Sequence, residues 1–148
     1  MLIDQAGVAR LIPHSGAMVL IDGVLEWDTE HIRCRATSHR DVDNPLRDGR
    51  GLPCLSGIEY AAQAMATHGA LVSQKGTGPP AVGYLANVRD LACFTEWLDT
   101  APVVLEIWAQ CLFRERLRSL YQFTLSGDGV PLLSGRAAVV YVPVGTMR

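Results

Sequence analysis

Glu59 is the residue of this chain best suited to moving a proton. It stands one turn into the segment 55–74 (LSGIEYAAQAMATHGALVSQ), where apolar or small residues at 58, 61, 62, 65, 66, 69 and 72 follow helical spacing. No other Asp, Glu, Lys or Arg interrupts that segment, so the helix is expected to be covered nearly all round. Burial would raise the carboxyl pKa and suit Glu59 to act as a general acid. A second role fits equally: Ser56-x-x-Glu59 has the spacing of a capping box, in which Glu59 satisfies a backbone donor. The helix start itself favours developing negative charge, and Gly57 there lets a carbonyl approach closely or lets a strand pack tightly. His14, after Pro13 at the mouth of a strand, is the candidate base, because imidazole titrates near neutrality; a structural histidine is its other reading. His39 is a substitute at the edge of a polar loop, whereas His31 falls in a strand and His68 suits helix packing. Asp43 and Asn44 either orient a ligand or make a turn before Pro45. Arg47, Arg50 and Arg89 suit a phosphate or an acidic surface, or simply solvent.

The elements that must hold these residues follow from periodicity. Ile3–Ile12 carries a weak helical pattern ended by Pro13. Ala17–Trp27 and His31–Thr37 read as an antiparallel hairpin turning near Asp28 and Thr29. Ser38–Pro53, rich in Gly, Pro and Asp, reads as a long ordered loop. After the long helix the KGTGPP stretch breaks the pattern, and Ala81–Val88, Pro102–Phe113, Leu117–Ser126 and Leu132–Val142 read as strands. Gly127-Asp128-Gly129 supplies the turn between the last two. An antiparallel sheet wrapped round one central helix accommodates this order best, an α+β architecture in a single domain spanning 1–148.

Composition narrows the function. The 148 residues are 49% hydrophobic and 19% charged, richer in apolar groups than an average soluble chain, which suggests a subunit interface or an apolar ligand tunnel. A net charge of -2 with scattered basic residues leaves no footprint for nucleic acid. The N-terminus lacks the basic and apolar regions of a secretory signal, and the apolar segment after Leu55 reads as a buried helix, so a cytoplasmic protein without a membrane span is expected. Cys34, Cys54, Cys93 and Cys111 are widely separated, with neither Cys-x-x-Cys nor zinc spacing; they are expected to be reduced thiols in the core, with no metal.

Three segments carry a family resemblance. LIPHSGAMVLIDGVLEW (11–27) resembles the Leu-Pro-His segment of the hotdog-fold 3-hydroxyacyl-ACP dehydratases. Leu52-Pro53 with Gly57-Ile58-Glu59-Tyr60-Ala61-Ala62-Gln63 is similar to their Pro-Gly and Glu-Ala-x-Ala-Gln helix start, and GYLANVRDLACF (83–94) resembles the strand that lines the thioester end. Within that family, Asp43-Asn44-Pro45 and GIEYAAQ most resemble the FabZ-like dehydratase-related proteins of aryl-polyene gene clusters. The resemblance implies a hotdog fold and dehydration of a 3-hydroxyacyl-ACP to the 2-enoyl-ACP. Glu59 and His14 would then be catalytic, and Gly57, Asn44, Pro53 and Gln63 would bind substrate. It implies no cofactor beyond the phosphopantetheine of the substrate's acyl carrier protein, and a homodimer or a trimer of dimers. One departure stands out. The family's loop before the helix carries a catalytic His, where this chain has Asn44-Pro45-Leu46-Arg47. That departure keeps open a non-catalytic acyl-binding or partner subunit, and the fold also admits an acyl thioesterase.

Overall fold

A computed structural model describes residues 1–74, 81–101 and 103–143. The KGTGPP stretch (75–80) and Pro102, at the expected start of a strand, lie outside the described residues.

The N-terminal helix is shorter than its pattern suggested. Ile3–Asp4 forms a two-residue strand, β1, and the Asp4 carboxylate accepts from the Gly7 amide at 2.9 Å, capping α1 (Gln5–Ala9). The hairpin is as expected: β2 (Gly23–Trp27) pairs antiparallel with β3 (His31–Ala36), and Asp28 Oδ1 closes the turn by accepting from the Glu30 and His31 amides. Strand β2 begins six residues later than Ala17, however. Residues Gly16–Met18 form a 3-10 turn, after which Leu20 bonds to side chains and the first bond to a neighbouring strand is that of the Asp22 amide to the Arg35 carbonyl.

The long helix is α2 (Gly57–Gln74), continuous with a 3-10 turn at Cys54–Ser56. Four long strands follow: β4 (Ala81–Cys93), β5 (Leu105–Arg114), β6 (Arg118–Gly127) and β7 (Val130–Pro143). Asp128 and Gly129 take positive φ of 50° and 76°, the backbone of a tight hairpin between β6 and β7. All pairings are antiparallel, in the order β1-β2-β3-β5-β6-β7-β4, so the strand that follows the helix crosses to the far edge. Alternation puts Ile32, Ile107, Phe123, Leu125 and Leu133 on one buried face, with Tyr60, Ala61, Ala64 and Met65 of α2 packed inside with them. Alanines and glycines on α2 let the sheet approach closely on several sides, which is how one helix can serve as the centre of the core. Among the described residues no helix is long and apolar enough to cross a membrane.

Candidate active site at the start of the central helix

His14 and Glu59 meet. Their closest approach, Nε2 to Oε2, is 4.0 Å, with side chains 26% and 42% exposed. That separation exceeds a hydrogen bond but suits two groups that each hold one part of a small substrate. His14 arrives on the segment between α1 and the Gly16–Met18 turn, while Glu59 projects from the first turn of α2. The Nδ1 atom of His14 is buried without a hydrogen-bond partner, so no side chain or carbonyl fixes its tautomer. The expected burial of Glu59 does not occur, because the charged end of α2 opens to solvent. The capping box does not form either: Ser56 is already inside the 3-10 turn, where its amide bonds the Pro53 carbonyl at 3.0 Å. Of the two roles read for Glu59, the capping one is therefore removed.

The remaining candidates of this region point inward. Gln63, one turn beyond Glu59, is fully buried; its Oε1 accepts from the Leu20 amide at 2.8 Å and its Nε2 donates to the Met18 carbonyl. Both ends of the amide thus hold the chain that carries His14. Asn44 is buried as well, donating from Nδ2 to the Ser38 carbonyl and to Tyr60 Oη, both at 2.9 Å, and accepting from the Leu46 amide. Ser38 Oγ lies 2.8 Å from the same phenol and donates to the Leu20 carbonyl at 2.6 Å. Burial raises the Tyr60 pKa, so the phenol stays protonated and available to this network. The network ties the loop to the helix, and its side-chain polar capacity is spent there rather than on a ligand. Sequence reasoning overlooked Tyr60 and Ser38; a tyrosine among alanines, whose hydroxyl must find a partner when buried, was the available clue.

Gly57 serves packing. A Cβ there would meet Leu133 Cδ2 at 2.7 Å and Leu125 Cδ2 at 3.0 Å, and its amide already donates to the Cys54 and Leu55 carbonyls. The helical turn thus begins three residues earlier than expected, and the Cys54 amide at its start is taken by the Glu96 carbonyl. Pro53 forms a bridge with Trp97. His39 is fully buried and closed to substrate, His31 binds Glu26 and Asp28, and Arg47 is held by Asp99 at 3.1 Å. Arg50 stacks over Trp97, and Arg89 lies on the outer sheet face beside Arg118 and Arg136. A cleft of about 350 Å³ beside the loop is lined by Asp22, Asp41, Asp43, Asn44 and Pro45. Its three carboxylates make it a poor receptor for a phosphate. Only Cys34 and Cys54 of the four cysteines are buried; Cys93 is exposed.

Residues 6–146 match the ApeP-like family, described as ApeP dehydratase. The chain belongs to that family. Its fold is similar to a chain of the dehydratase heterocomplex ApeI:P from Xenorhabdus doucetiae, with 26% identity over 93% of this chain and 91% of the other and a TM-score of 0.79. It is also similar to a mutant thioesterase from Pseudomonas aeruginosa, with 17% identity, 97% of each chain covered and a TM-score of 0.68. A thioesterase from Haemophilus influenzae shares 12% identity over 98% of this chain and 97% of its own, with a TM-score of 0.67. No match was found among curated protein sequences. The thioesterases show the hotdog fold alone, whereas family membership makes this chain a dehydratase by class.

Proposed function

We propose that this ApeP-like dehydratase removes water from a 3-hydroxyacyl thioester carried on the phosphopantetheine of an acyl carrier protein. The observation that carries this reading is the approach of His14 Nε2 to Glu59 Oε2 at the mouth of the central helix. With one proton shared by the pair, His14 Nε2 takes the C2 proton and Glu59 gives its proton to the departing C3 hydroxyl. The products are the 2-enoyl thioester and water, and the pair ends as imidazolium and carboxylate; both side chains reach solvent, so the imidazolium gives its proton to water and the carboxylate takes one back, which restores the starting state. Release of water removes nothing else from the protein, so no redox group or metal enters this scheme.

A second reading has its own support. Asn44 stands where the related dehydratases place a loop histidine and is turned inward, and the similar Xenorhabdus chain belongs to a heterocomplex. On that reading the chain completes the site of a second hotdog subunit. Purified protein incubated with a 3-hydroxyacyl-ACP, with Glu59→Gln and His14→Ala alongside, separates the two when the 2-enoyl product is followed by mass spectrometry. Turnover lost in both variants supports the dyad; absence of turnover by a folded protein that still binds acyl-ACP favours the partner role.

A further inference from the structure

We propose that Cys54 and Cys93 form a reversible disulfide that pins the start of α2 to the end of β4. The inference goes beyond the dehydratase reading and does not depend on it. Three placements bring the pair together. Cys54 lies in the 3-10 turn that leads into α2, and its Sγ donates to the Leu132 carbonyl at 3.4 Å. The same carbonyl accepts from the amide of Phe94, the residue after Cys93, at 2.9 Å. Cys93 pairs with Leu133 across β4 and β7, so its side chain shares the sheet face that Leu133 turns toward α2. The two cysteines consequently flank the same carbonyl, that of Leu132. A bond of ~2.05 Å between them would close across that carbonyl, at an end of the sheet.

Exposure sets the order of events. Cys93 is open to solvent, while Cys54 is 4% exposed. Burial, reinforced by Cys93 itself, pushes the Cys54 thiol up to about 12. Cys93 therefore reacts first: as thiolate it attacks one sulfur of a small disulfide such as oxidised glutathione, expelling one glutathione thiolate and leaving a mixed disulfide. Cys54 then loses its proton to solvent and attacks the Cys93 sulfur, expelling the second glutathione thiolate. Two protein thiols are oxidised, and one glutathione disulfide is reduced to two thiols. The new link spans the whole of α2, and it begins five residues before Glu59.

The test treats the native full-length protein with oxidised glutathione, blocks remaining thiols, and maps the digest by mass spectrometry, beside Cys93→Ser and Cys54→Ala. The expected result is loss of two hydrogens from the intact mass and a cross-linked peptide pair holding positions 54 and 93, reversed by dithiothreitol. Cys54→Ala should stop at the Cys93 mixed disulfide, and Cys93→Ser should show neither product. A wild-type protein that stops at the Cys93 adduct, or that links Cys93 to Cys34, Cys111 or a second chain, would overturn the assignment. Because the readout is covalent, failure here leaves the dehydratase reading untouched.

Discussion

Gln63 shows how much of the site depends on residues that never meet a substrate. Its amide holds both the Leu20 amide and the Met18 carbonyl, and so fixes the segment on which His14 rides relative to the helix on which Glu59 rides. Truncation in Gln63→Ala leaves a buried donor and a buried acceptor unpaired, at a cost of about 2–4 kcal/mol. Urea denaturation should show that loss, and steady-state kinetics should show kcat falling more than KM, since the dyad is loosened while the approach to it is unchanged. Asn44 invites the opposite experiment, because the related dehydratases carry a histidine in this loop. In Asn44→His an imidazole cannot reproduce three hydrogen bonds to Ser38, Tyr60 and Leu46. The substitution is expected to lower stability by about 1–3 kcal/mol without raising turnover, as measured by the same denaturation and a product assay. Glu59 and His14 were each singled out from residue type, position and family resemblance; their approach to 4.0 Å was not legible in the sequence. The inward turn of Gln63, Asn44 and Gly57 was not legible either, because a motif specifies which polar group is present but not which of two neighbours, ligand or backbone, takes it.

At the scale of elements, the long helix and the strands after it were readable, since a 3.6-residue period and a two-residue alternation cannot be confused over such lengths. The start of β2 was not. Residues 17–22 have strand-like composition, but at Met18 and Leu20 the side chains of Gln63 and Ser38 supply the hydrogen bonds a neighbouring strand would otherwise give. The opposite end of α2 holds a second polar network that no motif announced. His68 Nε2 lies 2.7 Å from the Asp28 carbonyl and so carries the proton, leaving Nδ1 to accept from Tyr121 Oη at 2.7 Å. Arg114 donates to Tyr121 Oη and Tyr141 Oη, and Tyr141 donates to Ser119. Burial, with the Arg114 cation adding to it, draws His68 down to about 4. Between the unfolded value near 6.5 and that level, the unfolded chain takes up a proton that the folded chain refuses. Stability is therefore fully present above about pH 6.5 and falls as the pH drops toward 4. Unfolding free energies from urea denaturation at pH 7 and pH 5 should differ by about 2 kcal/mol from this group, and His68→Gln should remove that part of the difference. A stability profile unchanged by His68→Gln would mean that the imidazole binds its proton equally in the folded and unfolded chain.

For the whole molecule the decisive feature is the position of β4. Among the described residues it pairs only with β7, so the longest-range crossover in the chain ends in a strand with one unpaired side. An edge of thirteen residues is an open template for another sheet, and soluble proteins rarely leave such an edge bare. Two bulges, between Leu85 and Asn87 and between Arg89 and Ala92, bend it, and Asp90 takes a positive φ of 53° at the second. The first bulge divides the edge, and the stretch before it, Ala81–Leu85, is the longest in unbroken register and so the one open to a partner strand. Assembly through that stretch would join two sheets edge to edge. Light scattering on eluting protein should report twice the chain mass for a homodimer, or an equal mixture when a second hotdog dehydratase is co-expressed. Amide exchange then places the contact: the outward amides of Ala81–Leu85 should slow by at least tenfold in the assembled species compared with protein diluted to monomer, while amides of β6, paired on both sides, should not change. Slowing confined to the loop or to the outer face would move the interface elsewhere and leave β4 protected by its bulges alone.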